Sequence, residues 1–240
     1  MDINRYLQEK REIVDSALER YFSMEEEFPS NLHRAIHHSL FAGGKRIRPI
    51  LSIASFEAVR GKGERVLPFA CALEMIHTYS LIHDDLPAID NDDYRRGKPT
   101  CHKVFGEAIA ILAGDGLLTE AFRLMTNQPA KDRPSSGEGL VLDLINEVAL
   151  AAGVFGIVGG QMADVESEGK AVDLPTVQYI HTHKTGAMIL ASVRVGAKLG
   201  GAKEEILKAL THYGESLGLA FQIVDDILNV EGKASLMGFR

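Results

Sequence analysis

Ten consecutive residues, Asp84-Asp85-Leu86-Pro87-Ala88-Ile89-Asp90-Asn91-Asp92-Asp93, carry five aspartates at the end of an otherwise apolar stretch. If that stretch is helical, its macrodipole opposes each carboxylate at the C-terminal end by about 0.3–1 kcal/mol. The carboxylates also repel one another, so a compensating cation is expected. Hard oxygen donors select Mg²⁺ or a similar ion. A regular helix would set Asp84 and Asp90 about 120° apart around its axis. Pro87 breaks that regularity, so a distorted turn can bring both to one metal. A solvated acidic loop is the plainer alternative.

A second acidic pair lies about 140 residues downstream, in Phe221-Gln222-Ile223-Val224-Asp225-Asp226-Ile227-Leu228-Asn229. Gln222, Asp225 and Asn229 form one polar stripe on an apolar helical pattern. A half-buried aspartate needs a partner, and a salt bridge would serve. Two such motifs together point to a shared metal site.

The basic counterpart is Gly43-Gly44-Lys45-Arg46-Ile47-Arg48-Pro49. Glycines let backbone amides approach an anion, and Lys45 and Arg48 stand beside a helix start, which suits a diphosphate held without metal. The spacing is not that of a Walker A loop. Arg95-Arg96 directly follows the acidic run, and arginine forks bind phosphate oxygens bidentately. Opposed acidic and basic patches suggest an anion bridged by metal on one side and arginine on the other. His181-Thr182-His183-Lys184-Thr185-Gly186 sets a cation and a hydroxyl on an apolar helix, and Gln161 and Asp164 lie one turn apart. By themselves both read as satisfied core polar groups. His33 and His37 lack a third zinc ligand and read as surface residues.

The elements that must position these groups are helical. Ile3, Leu7, Ile13, Leu18 and Phe22 recur at helical spacing. Ser30 or Asn31 is placed to cap a helix through Leu32–Phe41, which Gly43-Gly44 ends. Further helices are expected at Arg48–Arg60, Val66–Leu86, Cys101–Met125, Gly139–Gln161, Thr176–Leu199 and Lys203–Val230, with no sheet. The stretch Asn127–Gly139 has the composition of a solvated connection. No 20–50-residue repeat is evident.

The chain has 240 residues, 45% apolar and 25% charged, which excludes wholesale disorder and fibrous architectures. A chain of this length buries roughly 70–75% of its unfolded surface and needs no disulfide or structural metal. With 26 Lys and Arg against 33 Asp and Glu the net charge is −7, unfavourable for a general nucleic-acid binder. Cys71 and Cys101 form no Cys-x-x-Cys pair, which suggests a reducing compartment. The charged N-terminus has no signal-peptide core. The longest apolar region, Leu140–Val158, is interrupted by Asp143, Asn146 and Glu147, short of the roughly 20 residues that span a bilayer. A soluble cytoplasmic protein is expected.

The motifs GGKRIRP (43–49), EMIHTYSLIHDDLPAIDNDDYRRGKPTCHKVFGE (74–107), GGQMAD (159–164), HKTG (183–186) and FQIVDDIL (221–228) carry a resemblance that covers nearly the whole chain. The chain resembles the trans-polyprenyl diphosphate synthases, in particular bacterial farnesyl and geranylgeranyl diphosphate synthases. The resemblance implies an all-α bundle of antiparallel helices around a deep central pocket. It implies head-to-tail joining of an allylic diphosphate to isopentenyl diphosphate. It makes Asp84, Asp90 and Asp225 ligands of Mg²⁺, about three ions once substrate is bound. It places Arg95, Lys184, Thr185 and Gln222 around the allylic diphosphate and its reacting carbon. Lys45, Arg48, His77 and Arg96 fall at the isopentenyl diphosphate site. An aromatic residue at Tyr79, five before Asp84, implies a pocket floor and a fifteen-carbon product. A homodimer is implied as well.

Two departures stand out. Asn229 replaces a usual Asp. The family continues for about 50 residues beyond Arg240, with a Lys where Phe239 stands. The expectation is therefore one synthase domain over residues 1–240 short of its C-terminal part. Geranylgeranyl diphosphate synthase and a non-catalytic partner subunit are the alternatives.

Overall fold

The computed structural model describes residues 2–22, 27–126 and 138–231, without the side chains of residues 138, 225, 226 and 229–231. Residues 127–137 of the connection expected over Asn127–Gly139, the side chains of Asp225 and Asn229 and the segment Met237–Arg240 lie outside the described residues; positions 138 and 139 begin a helix.

The protein is all-α apart from one small hairpin. In chain order the helices are α1 (Ile3–Tyr21), α2 (Ser30–Leu40), α3 (Ile47–Ala58), α4 (Leu67–Asp84), α5 (Cys101–Phe105), α6 (Glu107–Thr126), α7 (Glu138–Ala152), α8 (Ile157–Ser167), α9 (Leu174–Ile180), α10 (Ala187–Leu199) and α11 (Glu204–Glu231). Strands β1 (Tyr94–Arg95) and β2 (Lys98–Pro99) pair antiparallel between α4 and α5.

Helix α4 is the axis of the molecule. It starts with Pro68 in its first turn, where a missing N–H costs nothing. Its residues from Leu67 to Ile76 are buried on every side, as expected for a helix apolar all round. It packs against α1, α3, α6 and α10. Helix α1 turns only Val14, Ala17 and Leu18 fully inward, and Asp2 caps it by accepting from the Asn4 amide at 3.0 Å. Asp173 caps α9 in the same way through the Thr176 amide.

Four local expectations are corrected. Helix α2 begins at Ser30 with Pro29 in the capping position, so neither Ser30 nor Asn31 caps it by its side chain. The helix expected over Cys101–Met125 is two, because Gly106 (φ 85°) separates α5 from α6. The sequence Tyr94–Pro99 forms a hairpin where no strand was expected. The region expected as one helix over Gly139–Gln161 turns at residues 153–156. The stretch Gly139–Ser167 has the length of a membrane span and contains an 18-residue window with the mean hydropathy of one (1.9). It is built as α7 and α8, of 15 and 11 residues, each shorter than the roughly 20 a span needs.

The helix expected over Thr176–Leu199 holds a π-helical turn, His181–Gly186, between α9 and α10. Such turns are rare and re-aim side chains within a continuous helix.

Candidate active site

The acidic run leaves helix α4 as a closed turn. The Asp90 amide donates to the Asp84 carbonyl at 2.9 Å, and the amides of Ile89 and Asn91 donate to the Leu86 carbonyl. The helix ends at Asp84, and Pro87 stands in the turn that follows. The backbone therefore folds Asp90 back onto the end of the helix instead of continuing around it.

The two expected metal ligands feel each other. Burial pushes the Asp84 carboxyl up to about 6, and Asp90 and Asp85 push the same way against Lys184 and Arg95. Asp90 is also raised, first by the protein packed around the turn and then by Asp92 and Asp164, again against Lys184 and Arg95. Among the described residues no three His, Cys, Asp or Glu side chains converge on one point. Mg²⁺ takes one or two carboxylates plus substrate phosphate oxygens rather than an all-protein cage. Asp84 and Asp90 are donors of that kind. Asp225 belongs to α11, its side chain outside the described residues.

Asp85 is engaged by an arginine. It is 3% exposed and accepts from Arg95 Nε at 2.6 Å and Nη2 at 2.5 Å. Arg95 Nη2 also lies 3.5 Å from Asp92. The second aspartate of the Asp-Asp pair thus anchors an arginine, a role its sequence position does not signal.

Arg96, next along the hairpin, faces the other way. It has a left-handed backbone (φ 53°) and donates from Nη1 to the Gly43 carbonyl. It joins Lys45, Arg48, His77 and Glu74 in lining a cleft of about 110 Å³, walled by Ile47, Ile189 and Phe221. Arg48 Nε is buried without a hydrogen-bond partner. Burial and the neighbouring Arg96 lower the Arg48 pKa against the pull of Glu74. Burial first, then the charges of Arg48, Arg96, Arg95 and Arg46, hold His77 well below the ordinary imidazole value. It is neutral at pH 7. Concentrated cation charge of this kind calls for an anion.

Arg46 is the structural member of the GGKRIRP motif. It is buried and bonded to Asp15 Oδ1 at 2.8 Å, Glu74 Oε1 at 2.8 Å and the Leu40 carbonyl at 2.7 Å. Its three partners fix the loop from which Lys45 and Arg48 extend.

Lys184 sits in the π-helical turn. Burial lowers its pKa, but the bond to Asp164 (Nζ–Oδ2 2.6 Å) and the charges of Asp84 and Asp90 outweigh that and raise it. Thr185 follows in the same turn. Gln222 neighbours Phe221 on α11. The expected residues thus fall into two groups: Asp84, Asp90, Arg95 and Lys184 around the acidic turn, and Lys45, Arg48, His77 and Arg96 around the cleft. The β1–β2 hairpin contributes one arginine to each.

Residues 29–238 match the family model described as polyprenyl synthetase. The chain is 53% identical over 239 residues to a farnesyl diphosphate synthase of Geobacillus stearothermophilus, covering 99% of this chain and 79% of that protein. It is 50% identical over 234 residues to a geranylgeranyl diphosphate synthase of Cyanophora paradoxa, covering 97% and 76%. An apo crystal structure of an FPP/GFPP synthase from Zymomonas mobilis superposes with a TM-score of 0.89 at 37% identity, covering 96% of this chain and 83% of that one. With an all-α fold of the isoprenoid synthase type and a family match over residues 29–238, the chain belongs to the polyprenyl synthetase family.

Proposed function

We propose that this protein condenses dimethylallyl or geranyl diphosphate with isopentenyl diphosphate to give farnesyl diphosphate. The observation that carries the reading is the pairing of two unlike anion sites across one hairpin. One is acidic, with Asp84 and Asp90 opposed by Lys184 and Arg95. The other is a cation-lined cleft with an unpartnered Arg48 Nε.

Asp84 and Asp90, with Asp225 from α11, would hold Mg²⁺. When bound, the metal supplies positive charge to the departing diphosphate. Arg95 and Lys184 stabilise the negative charge that grows there as the allylic C–O bond breaks. Thr185 and Gln222 offer oxygen dipoles to the allylic cation, and apolar walls keep out water that would quench it. Lys45, Arg48 and Arg96 bind the second diphosphate by charge alone, with His77 as a neutral hydrogen-bonding group. The double bond of isopentenyl diphosphate attacks the cation, and a proton then leaves. The released pyrophosphate accepts it, so no protein base is required.

A fifteen-carbon product is favoured by Tyr79, a buried aromatic one turn below the acidic end of α4, its ring edge-on to His83 at 5.6 Å. The similarity to a geranylgeranyl diphosphate synthase keeps a twenty-carbon product as the second reading. We further propose a homodimer, supported by exposed apolar side chains on α7, on α8 and in the turn between them, such as Leu142, Met162 and Phe155. The cytoplasm is the proposed compartment, supported by two free, buried thiols. One synthase domain over residues 1–240 is proposed from the family match.

The direct test incubates the purified chain with dimethylallyl and isopentenyl diphosphates and Mg²⁺ and determines product length. Farnesyl diphosphate is expected. A twenty-carbon product selects the second reading, and no carbon–carbon coupling refutes the activity of this chain.

A further inference from the structure

Helix α8 grips Lys184 at both ends. At the backbone, a Cβ on Gly160 would stand 2.2 Å from the Lys184 amide nitrogen, so only glycine allows α8 to lie against the π-helical turn this closely. At the tip, one turn further along α8, Asp164 Oδ2 holds the Lys184 ammonium at 2.6 Å. The carboxylate of Asp164 acts on Asp90 as well, so it borders the acidic turn without belonging to it.

A lysine side chain has four rotatable bonds and binds anions as a point charge, so its aim must come from its surroundings. Asp84 and Asp90 both attract this ammonium. Without a competing carboxylate it would collapse onto them and occupy the position a metal needs. Arg95, at the same turn, shows a similar arrangement: its guanidinium is held by the Asp85 carboxylate at 2.5 Å. Each cation at this turn is therefore held by a carboxylate from outside the Asp84–Asp90 pair.

We propose that Asp164 is a positioning residue for the transfer reaction, keeping the Lys184 ammonium aimed at the leaving diphosphate and off Asp84 and Asp90. The proposal rests on the assignment of Lys184 to that diphosphate. In it, Asp164 touches neither substrate nor metal. Its effect on the reaction passes entirely through Lys184.

The test compares the full-length Asp164→Asn, Asp164→Glu, Lys184→Ala and Asp164→Asn/Lys184→Ala proteins. Binding of inorganic pyrophosphate with Mg²⁺ is measured by calorimetry beside steady-state kinetics. Asp164→Asn is expected to weaken pyrophosphate binding and lower kcat, each by about 10- to 100-fold. KM for isopentenyl diphosphate stays unchanged, and the Mg²⁺ midpoint rises as the released ammonium competes with the metal for Asp84 and Asp90. Asp164→Glu recovers part of the loss. In the Lys184→Ala background Asp164→Asn adds nothing, the signature of two residues acting as one unit. Tighter pyrophosphate binding in Asp164→Asn would overturn the proposal by showing simple charge repulsion. A Mg²⁺ midpoint that Asp164→Asn still shifts in the Lys184→Ala background would overturn it by showing a metal ligand, and a full effect on pyrophosphate binding in that background by showing independent action. Unchanged pyrophosphate binding in Lys184→Ala alone would instead remove the assignment on which the proposal stands.

Discussion

The guanidinium of Arg96 lies flat against Gly44: a Cβ there would be 2.6 Å from Arg96 Cζ and Nη1. The backbone of Gly44 is also left-handed, at φ 130°. The contact ties the β1–β2 hairpin to the loop that carries Lys45 and leads into α3. Arg95 of the same hairpin is bonded to Asp85 at the other end.

Gly44→Ala is therefore expected to displace Arg96 while leaving the acidic turn in place. The apparent KM for isopentenyl diphosphate should rise about 10- to 100-fold, with that for the allylic substrate little changed. Steady-state kinetics with each substrate varied in turn checks this. Equal increases in both KM values would show that the two sites are not separated as described.

The Arg46–Glu74 pair is an interior ion pair, with Glu74 only 1% exposed. Removing one partner strands a buried charge, at a cost of about 3–5 kcal/mol. Asp15 still contacts Arg46, so Glu74→Ala is expected near the lower end of that range. Denaturant unfolding of Glu74→Ala measures it. A loss below about 1 kcal/mol would mean that Asp15 alone neutralises Arg46.

The Asp84 carboxyl is raised from 3.8 to about 6, chiefly by burial. The folded state thus holds this proton more tightly than the unfolded state, so ionising Asp84 destabilises the fold. The penalty is absent below about pH 4, grows as pH rises toward 6, and is constant above, at about 3 kcal/mol. In chelator, Asp84→Asn should therefore raise Tm at pH 8 and do so much less at pH 5, while turnover falls by several orders of magnitude. Thermal unfolding at the two pH values decides it. A pH-independent effect on Tm would show that Asp84 is not raised.

Tyr79 is buried with its ring against His83. If it floors the chain-elongation pocket, Tyr79→Ala should shift the product from fifteen to twenty carbons or more, and Tyr79→Phe should not. Product analysis on folded protein, verified by circular dichroism, is the measurement. An unchanged fifteen-carbon product in folded Tyr79→Ala would leave Tyr79 as a core residue only.

Much of this protein is readable from residue order because helices are local. The apolar positions of α4 and the caps of α1 and α9 follow from contacts a few residues long. So does the tight turn after Asp84, where Pro87 forbids a regular helix. The acidic run and the 43–49 motif could be singled out for a related reason: clustered like charges are costly and announce a ligand, whereas His77, Lys184, Thr185 and Gln222 were given site roles only through the family resemblance. Where local signals conflict, residue order was a weaker guide. Gly106 and the turn at 153–156 split helices whose apolar patterns run on through the breaks, and a two-residue hairpin is too short to show a period.

Partnership was decided only in three dimensions. Nothing in the run Lys45-Arg46-Ile47-Arg48 marks Arg46 as the buried member, yet Asp15 and Glu74, on two other helices, claim it. Nothing in Asp84-Asp85 says that the second carboxylate serves Arg95. Lys184 and Asp164, 20 residues apart, meet because a glycine lets α8 touch a π-helical turn. The physical reason is common to all three. Charge types and local spacing are properties of the chain, but which charges neutralise one another, and which are left for a ligand, depends on distances of a few ångströms set by how helices pack.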